Sequence, residues 1–410
     1  NNIAEVLYAG IELTNATNST VQYNTISARV TNNAGQQTDP GDSGVGIEIA
    51  TRDQAGIGVT SGNTLVDSNV ITGVLFERAG INLLSRAYAG TSNAVLENVT
   101  VSNNTVSGST GRGGIVVVAE ERNSATNASF TSLAINSNTL TGNTTGLSIG
   151  ILGAPYDNAT GVDGSYGITV ITGNTFTTNT DYHLRDIAES LGGQKVYEIF
   201  TNTDVASGFA GTGNTFDTST VVTNGAGVVQ STTSLVIRPT IQQSIDDASA
   251  GDTVEVAAGT YNETVTINKN NLTLTGDPGA TGATSSDAGP GSNAPLLDGT
   301  GLGNTSAIFM GAVSNVTIAG FEIANYANGA PGPGGTGGVG SGIESFDVAT
   351  NNITIRDNYF HDLGWNGVLV ASDNGTLQND WDVVRNNIAE VLYAGIELTN
   401  ATNSTVQYNT

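Results

Sequence analysis

Two short hydrophobic patterns alternate along most of this chain. The first is an aliphatic residue, an Asn three positions later, and another apolar residue two after that. It reads Val21-Asn24-Ile26, Val66-Asn69-Ile71, Val101-Asn104-Val106, Ile135-Asn138-Leu140, Ile171-Asn174-Phe176, Ile355-Asn358-Phe360 and Val383-Asn386-Ile388, with Val406-Asn409 opening another copy. Ile318-Phe321-Ile323 keeps the frame with Phe in the Asn slot, and Gly211-Asn214-Phe216 is a decayed copy. The second pattern is Gly, aliphatic, variable, aliphatic. Examples are Gly10-Ile11-Glu12-Leu13, Gly46-Ile47-Glu48-Ile49, Gly80-Ile81-Asn82-Leu83, Gly114-Ile115-Val116-Val117, Gly146-Leu147-Ser148-Ile149 and Gly367-Val368-Leu369-Val370. Each has the period of two that marks a short strand with one apolar face. Between Asn69 and Asn174 the copies recur every 34 to 36 residues.

Copies of one strand at near-constant spacing are expected to stack as neighbours in parallel sheets. The predicted fold is all-β: a parallel β-helix, a solenoid in which each coil buries its apolar face against the coils before and after it. Asn repeated in one slot predicts a ladder of side-chain amides. The Gly before the second strand is expected to supply backbone freedom at a corner. Spacing variation predicts loops at 32–43, 86–93, 120–127, 154–165, 276–304 and 328–341. Residues 240–248 predict a short amphipathic capping helix, with Thr240 as N-cap and Ile241, Ile245 and Ala248 on one face. Residues 181–232 are the least regular part. The expected division is therefore 1–232, the later part of one unit, and 233–410, the cap and first part of the next.

The segment Asn1 to Thr25 is repeated without a substitution from Asn386 to Thr410. A repeat kept only for its core would let exposed Thr, Asn and Gln drift. The expectation is a window on a tandem array with a period of 385 residues.

The stretch from Ile241 to Gly276 resembles the opening of right-handed parallel β-helix proteins of the pectin-lyase-like superfold. The matching elements are Ile241-Gln242-x-x-Ile245, Ala250-Gly251-Asp252-Thr253-Val254, Gly259-Thr260-Tyr261, Glu263, Val265, Ile267 and Leu272-Thr273-Leu274-x-Gly276. The Ile-x-x-Asn-x-Phe coils are similar to repeats of periplasmic copper-accessory β-helix proteins and of very large bacterial and archaeal surface proteins. The resemblance implies a right-handed β-helix. It does not imply one function, because the superfold carries lyases, hydrolases, esterases, adhesins and passive fibres alike.

Composition narrows the function classes. Charged residues make up 12% of the chain and the formal net charge is −25, against a usual charged fraction of about 25%. Only two lysines occur, Lys195 and Lys269. Phosphate neutralisation needs basic patches, and none is evident, which argues against nucleic-acid and anionic-membrane partners. There are no cysteines, so disulfides and thiolate metal sites are excluded. No apolar run is long enough for a membrane span.

Candidate chemistry is sparse. The active-site sets that the resemblance would imply for pectate lyases or polygalacturonases are missing. The best local set is Arg356-Asp357-Asn358-Tyr359-Phe360-His361-Asp362, with Trp365 close behind. Such groups suit acid–base work on a sugar. However, Asn358 and Phe360 read as ladder and core, and alternation places Asp357 and Tyr359 on the outer face. No catalytic residue is assigned. Calcium is the one cofactor the carboxylate-rich loops suggest, through Asp39 with Asp42, Asp157 with Asp163, and Asp373 with Asp380 and Asp382. None has the spacing of a defined calcium loop. Asn-x-Ser/Thr triplets, which would serve as glycan acceptors in an exported chain, are numerous and include those at Asn15, Asn18, Asn98, Asn127, Asn143, Asn158, Asn262, Asn271, Asn304, Asn315, Asn352 and Asn374.

The expected function is architectural: a non-enzymatic repeat unit of an extracellular or cell-surface filament whose partners are adjacent copies of itself. The alternative is an adhesin or carbohydrate-binding stalk with glycan partners, and then a polysaccharide lyase or hydrolase.

Overall fold

The computed structural model describes residues 1–6, 9–28, 44–53, 57–73, 79–88, 93–122, 127–150, 162–187, 210–223, 235–279, 288–327 and 340–410. The loop expected at 32–43, most of those at 154–165 and 328–341, and the candidates Asp39, Asp42 and Asp157 lie outside the described residues.

Regular structure is almost entirely strand, and most pairing is parallel. The all-β expectation therefore holds. The chain divides into two compact units. Unit 1 is Asn1–Asp217 with Gln230–Pro239, and unit 2 is Thr218–Val229 with Thr240–Thr410.

In unit 1 the chain visits three sheets in turn and returns to each one strand further along. One sheet holds Ala9–Thr14, Val45–Arg52, Ala79–Ala87, Ile115–Glu121, Thr145–Ile149 and Tyr182–Asp186 in parallel order. A second holds Thr20–Gln22, Val59–Asp67, Ala94–Ser102, Ala128–Asn136 and Ser165–Thr172. The third holds Asn2–Val6, Thr25–Ala28, Val70–Thr72, Thr105–Ser107, Thr139–Thr141, Thr175–Thr177 and Thr215–Phe216. Register aligns like with like. Ile26, Ile71, Val106, Leu140, Phe176 and Phe216 form one column. Ile47, Ile81, Ile115 and Leu147 form another, fully buried. Slipping one residue would turn every such side chain to the opposite face of its sheet, so the packing of the column pins the register.

Unit 2 repeats this plan with shorter strands. Its sheets begin at Thr253–Val256, Thr260–Tyr261 and Val265–Ile267, and later circuits return to each in order. The segment 276–304, expected to be a loop, contains the strand Leu296–Asp298, which joins Thr260–Tyr261 to Glu322–Ala324. Similarly, Arg86 and Glu120, expected to start loops, lie inside the strands Ala79–Ala87 and Ile115–Glu121.

Each unit has one sheet edge finished by an antiparallel strand. Leu235–Ile237 closes on Tyr182–Asp186 in unit 1, and Thr220–Thr223 closes on Thr253–Val256 in unit 2. The helix forms over Ile241–Asp247, with the Thr240 hydroxyl accepting from the Gln243 N–H at 3.3 Å. Ile241 and Ile245 are buried in the unit 2 core beside Val254, Val265 and Ile267. The Glu263 carboxylate accepts the N–H groups of Ile241 and Gln242 at 2.8 and 3.0 Å, so two further helix-start donors are satisfied.

The recurring glycines are present for a different reason from the one expected. Gly10, Gly46, Gly80, Gly114 and Gly146 are absent from the positive-φ residues. A Cβ on Gly46 would instead sit 2.5 Å from the Gly80 carbonyl oxygen and 2.7 Å from Ile71 Cγ2. Close approach of the next strand excludes any side chain. Backbone freedom is used one residue before the ladder slot, at Tyr23, Ser68, Asn103, Ser137, Gly173, Gly213, Gly320 (before Phe321), Asp357, Arg385 and Tyr408, all with positive φ. Gly, Asn and Asp suit that left-handed conformation, whereas Tyr and Arg are held there against preference by the pairing around them.

Candidate functional site

The Asn slots form a continuous chain of amides. Asn24, Asn69, Asn104, Asn138 and Asn174 each donate Nδ2 to the Oδ1 of the next Asn, ending on Asn214, at 2.9 to 3.0 Å. The same Oδ1 also accepts the previous Asn backbone N–H. Nδ2 of Asn104 reaches back to the Val66 carbonyl as well. One Asn therefore binds three successive circuits, and its buried polar atoms are all paired. In unit 2 the chain runs Asn358, Asn386, Asn409. Phe321 cannot continue it with a side chain, but its N–H still donates to Asn358 Oδ1 at 3.0 Å.

A second, shorter ladder was not read from the sequence. Asn143 donates to Asn179 Oδ1 at 3.2 Å and to the Val106 carbonyl at 3.1 Å, and the Ser109 N–H donates to Asn143 Oδ1. Its signal was there: Asn recurs five residues after Asn138 and Asn174. Asn179 Nδ2 ends beside His183 Nδ1 at 3.2 Å, so His183 terminates a ladder in unit 1.

Unit 1 also buries ions. Arg86 Nε meets Glu120 at 2.5 Å, Arg122 Nε meets the other Glu120 oxygen at 2.5 Å, and Arg52 pairs with Glu48. Both guanidiniums of Arg86 and Arg122 lie over the Tyr88 ring. Although burial opposes it, the Glu120 charge raises the Arg86 pKa above its ordinary value. Arg86 and Glu120 lie 34 residues apart and fall in register only when strands stack, which hid the cluster from sequence reasoning. Its charges satisfy one another, which makes it a structural tie.

The Arg356–Asp362 strip behaves differently from expectation at one point. Asp357 is buried (1% exposed), clamped by Arg356 at 2.6 Å and by Arg385 at 2.7 and 2.9 Å. Its left-handed φ of 57° breaks the strand alternation that would have turned it outward. Tyr359 does stand on the outer side, stacked on His361 with centroids 4.3 Å apart. His361 bridges Asp362 at 2.7 Å and Glu322 at 2.9 Å. Burial disfavours its charge, but hydrogen bonds and charge from Asp362 and Glu322 outweigh this and raise its pKa. Glu322 was missed because it belongs to the previous circuit; outward alternation from Phe321 and Ile323 would have found it. A cleft of about 310 Å³ opens beside it, lined by Gly289, Pro290, Ser292, Glu322, Tyr359 and Asn387.

For calcium, Asp163 ends the strand Val162–Asp163, paired antiparallel with Glu120–Glu121. Asp380 accepts from Asn379 at 2.6 Å, and the Asp373 N–H donates to Asp347 at 2.8 Å. Among the described residues no group of three or more His, Cys, Asp or Glu is placed to hold a metal ion. No helix among them is long and apolar enough to cross a membrane. No protein-family model and no curated protein matches the chain.

Proposed function

We propose that the chain is a right-handed parallel β-helix and a structural repeat unit of a filament at the cell surface or outside the cell, joined to copies of itself along one polypeptide. The observation that carries this reading is the behaviour of the repeated 25 residues. In both places the segment closes on itself in the same way. Asn1 Nδ2 meets Asn24 Oδ1 at 3.0 Å and Asn386 Nδ2 meets Asn409 Oδ1 at 3.1 Å. The Thr25 N–H donates to the Asn1 carbonyl at 2.8 Å and the Thr410 N–H to the Asn386 carbonyl at 2.9 Å. Its outer partners differ. In unit 1 it is bonded to the following circuit, Asn24 to Asn69; in unit 2 it is bonded to the preceding one, Asn358 to Asn386. One coil with a native partner on each side is an interior coil of a longer stack.

Such a unit holds about eleven coils, which at about 4.8 Å each advance roughly 50 to 60 Å. Electron microscopy of the native material should show a thin filament with that repeat; isolated compact particles would sink the proposal. A stalk that also binds glycans is the second reading, favoured by the stacked Trp365 and Tyr393 rings, 4.4 Å apart and 5° from parallel. Glycan-array binding lost on Trp365→Ala would support it.

A further inference from the structure

A second left-handed column runs up the outside of each unit. In unit 1 it is Asn18, Asn63, Asn98 and Ser132, with φ of 52°, 50°, 51° and 57°. In unit 2 it is Asn271, Asn315, Asn352, Asp380 and Asn403, with φ of 57°, 58°, 55°, 52° and 52°. Register brackets the neighbours: Gly62 with Glu97 and Thr64 with Val99 flank Asn63 and Asn98, and Ser314 with Asn351 and Val316 with Ile353 flank Asn315 and Asn352. The Asn side chains of the column are exposed.

We propose that Asn18, Asn98, Asn271, Asn315 and Asn352 form a stripe of acceptors for N-linked glycans. Each opens an Asn-x-Thr triplet: Asn18-Ser19-Thr20, Asn98-Val99-Thr100, Asn271-Leu272-Thr273, Asn315-Val316-Thr317 and Asn352-Ile353-Thr354. Folding alone accounts for the parts separately. The left-handed position favours Asn, Val99, Leu272, Val316 and Ile353 fill the core, and the outer strand position favours Thr. It does not account for their association. Thr follows five of the six distinct Asn of the column, the exception being Leu65 after Asn63. It follows neither Ser132 nor Asp380, where Ala134 and Asp382 stand instead. Among the described residues no hydrogen bond joins any of these Thr hydroxyls to its Asn, so the fold does not couple the two choices.

The chemistry is that of an oligosaccharyltransferase acting on a lipid-diphosphate-linked oligosaccharide. Asn Nδ2 bonds to the anomeric carbon, the carbon–oxygen bond to the diphosphate breaks, the lipid diphosphate leaves with the electron pair, and the amide gives up one proton. One N–H remains on Nδ2. That suffices for the lateral bonds already present, Asn315 to Asn271 and Asn352 to Asn315, both 2.7 Å. Asn143 opens the same triplet but is fully buried with its Nδ2 held by Val106 and Asn179, so it is an internal negative control.

The test is peptide mass spectrometry of the whole protein purified from its own source, with and without an amidase that releases N-glycans. Glycopeptides containing the column sites, with Asn143 unmodified, are expected. An unmodified intact mass, or glycans on Asn143 and elsewhere with the column bare, overturns the proposal. Thr273→Ala should remove the glycan at Asn271 alone, with circular dichroism unchanged; persistence there also overturns it. The stripe rests on the surface location proposed above. An unmodified protein recovered as a surface filament refutes the stripe alone, whereas an unmodified compact particle from inside the cell refutes both.

Discussion

Val21 and Val406 occupy the same place in identical 25-residue sequences, yet Val21 is 5% exposed and Val406 is 49% exposed. The local strands are the same, Thr20–Gln22 and Thr405–Gln407. What differs is the neighbour. Val21 is paired with Val66 of the next circuit, whereas Val406 is paired only with Val383 behind it. In this architecture a circuit does not own its core. The circuit that follows supplies much of its burial and part of its hydrogen bonding. The two glycines at corresponding positions show the same asymmetry. A Cβ on Gly10 would meet Gly46 O at 2.7 Å and Ile26 Cγ2 at 2.8 Å, but one on Gly395 would meet nothing closer than Ile388 Cγ2 at 3.6 Å.

The largest expected effect comes from removing a ladder residue with partners on both sides. Asn104→Ala takes away the Oδ1 that accepts the Asn69 N–H and one Asn69 Nδ2 hydrogen, and the Nδ2 that donates to the Val66 carbonyl, while Asn138 Oδ1 keeps only the backbone N–H of residue 104. At about 1 to 3 kcal/mol per buried orphan, only partly recovered by relaxation, a loss of about 4 kcal/mol is expected in urea unfolding. Asn409→Ala, which has only one neighbouring circuit, should cost less than half as much; equal costs would break the comparison. Next, Gly10→Ala should destabilise by about 2 kcal/mol through overpacking, while Gly395→Ala stays within about 0.5 kcal/mol of the parent. Val21→Ala is expected to cost about 2 kcal/mol and Val406→Ala well under 1 in the same assay.

Smaller effects sharpen the picture at single groups. Glu263→Gln keeps only one acceptor oxygen for the two helix N–H groups, so a loss of about 1 kcal/mol is expected by thermal melting. The smallest effect is pH-dependent and should fall on the first copy alone. Asp67 accepts from Gln22, Ser68, Ser102 and Asn103, tying three circuits together. Burial opposes its ionisation, but these hydrogen bonds outweigh it and hold its pKa below the ordinary carboxylate value. Its stabilisation is therefore present above the unfolded-state value of about 3.9 and is lost as pH falls through the lower folded value. Asp67→Asn should flatten stability in that acid window. An unchanged acid slope would show that the carboxylate does no such work.

Much of the fold was legible in the chain. The ladder at Asn24, Asn69, Asn104, Asn138 and Asn174, the decayed copy at Asn214, the Gly positions and the helix at Ile241–Asp247 follow from spacing, because strand period and helix capping are local rules. The failures share one cause. Asp357 was turned inward by a left-handed residue that alternation does not foresee. Leu296–Asp298 is too short to announce itself among Gly, Pro and Ser, and becomes a strand through the partners on either side of it. Glu322 and His361 meet across 39 residues, and Arg86 and Glu120 across 34, distances over which charge pattern carries no register.

The sequence by itself determined the coil spacing, the core residues and the main Asn ladder, and the presence of a capping helix, because those depend on contacts that repeat with the chain. Only the tertiary structure decided which glycines face an oncoming carbonyl, which carboxylates are clamped by arginines, and which Asn-x-Thr triplets stand on the surface. Each of those is set by the circuit stacked beside it, about 23 to 45 residues away, and the same 25 residues accept whichever neighbour the stack provides.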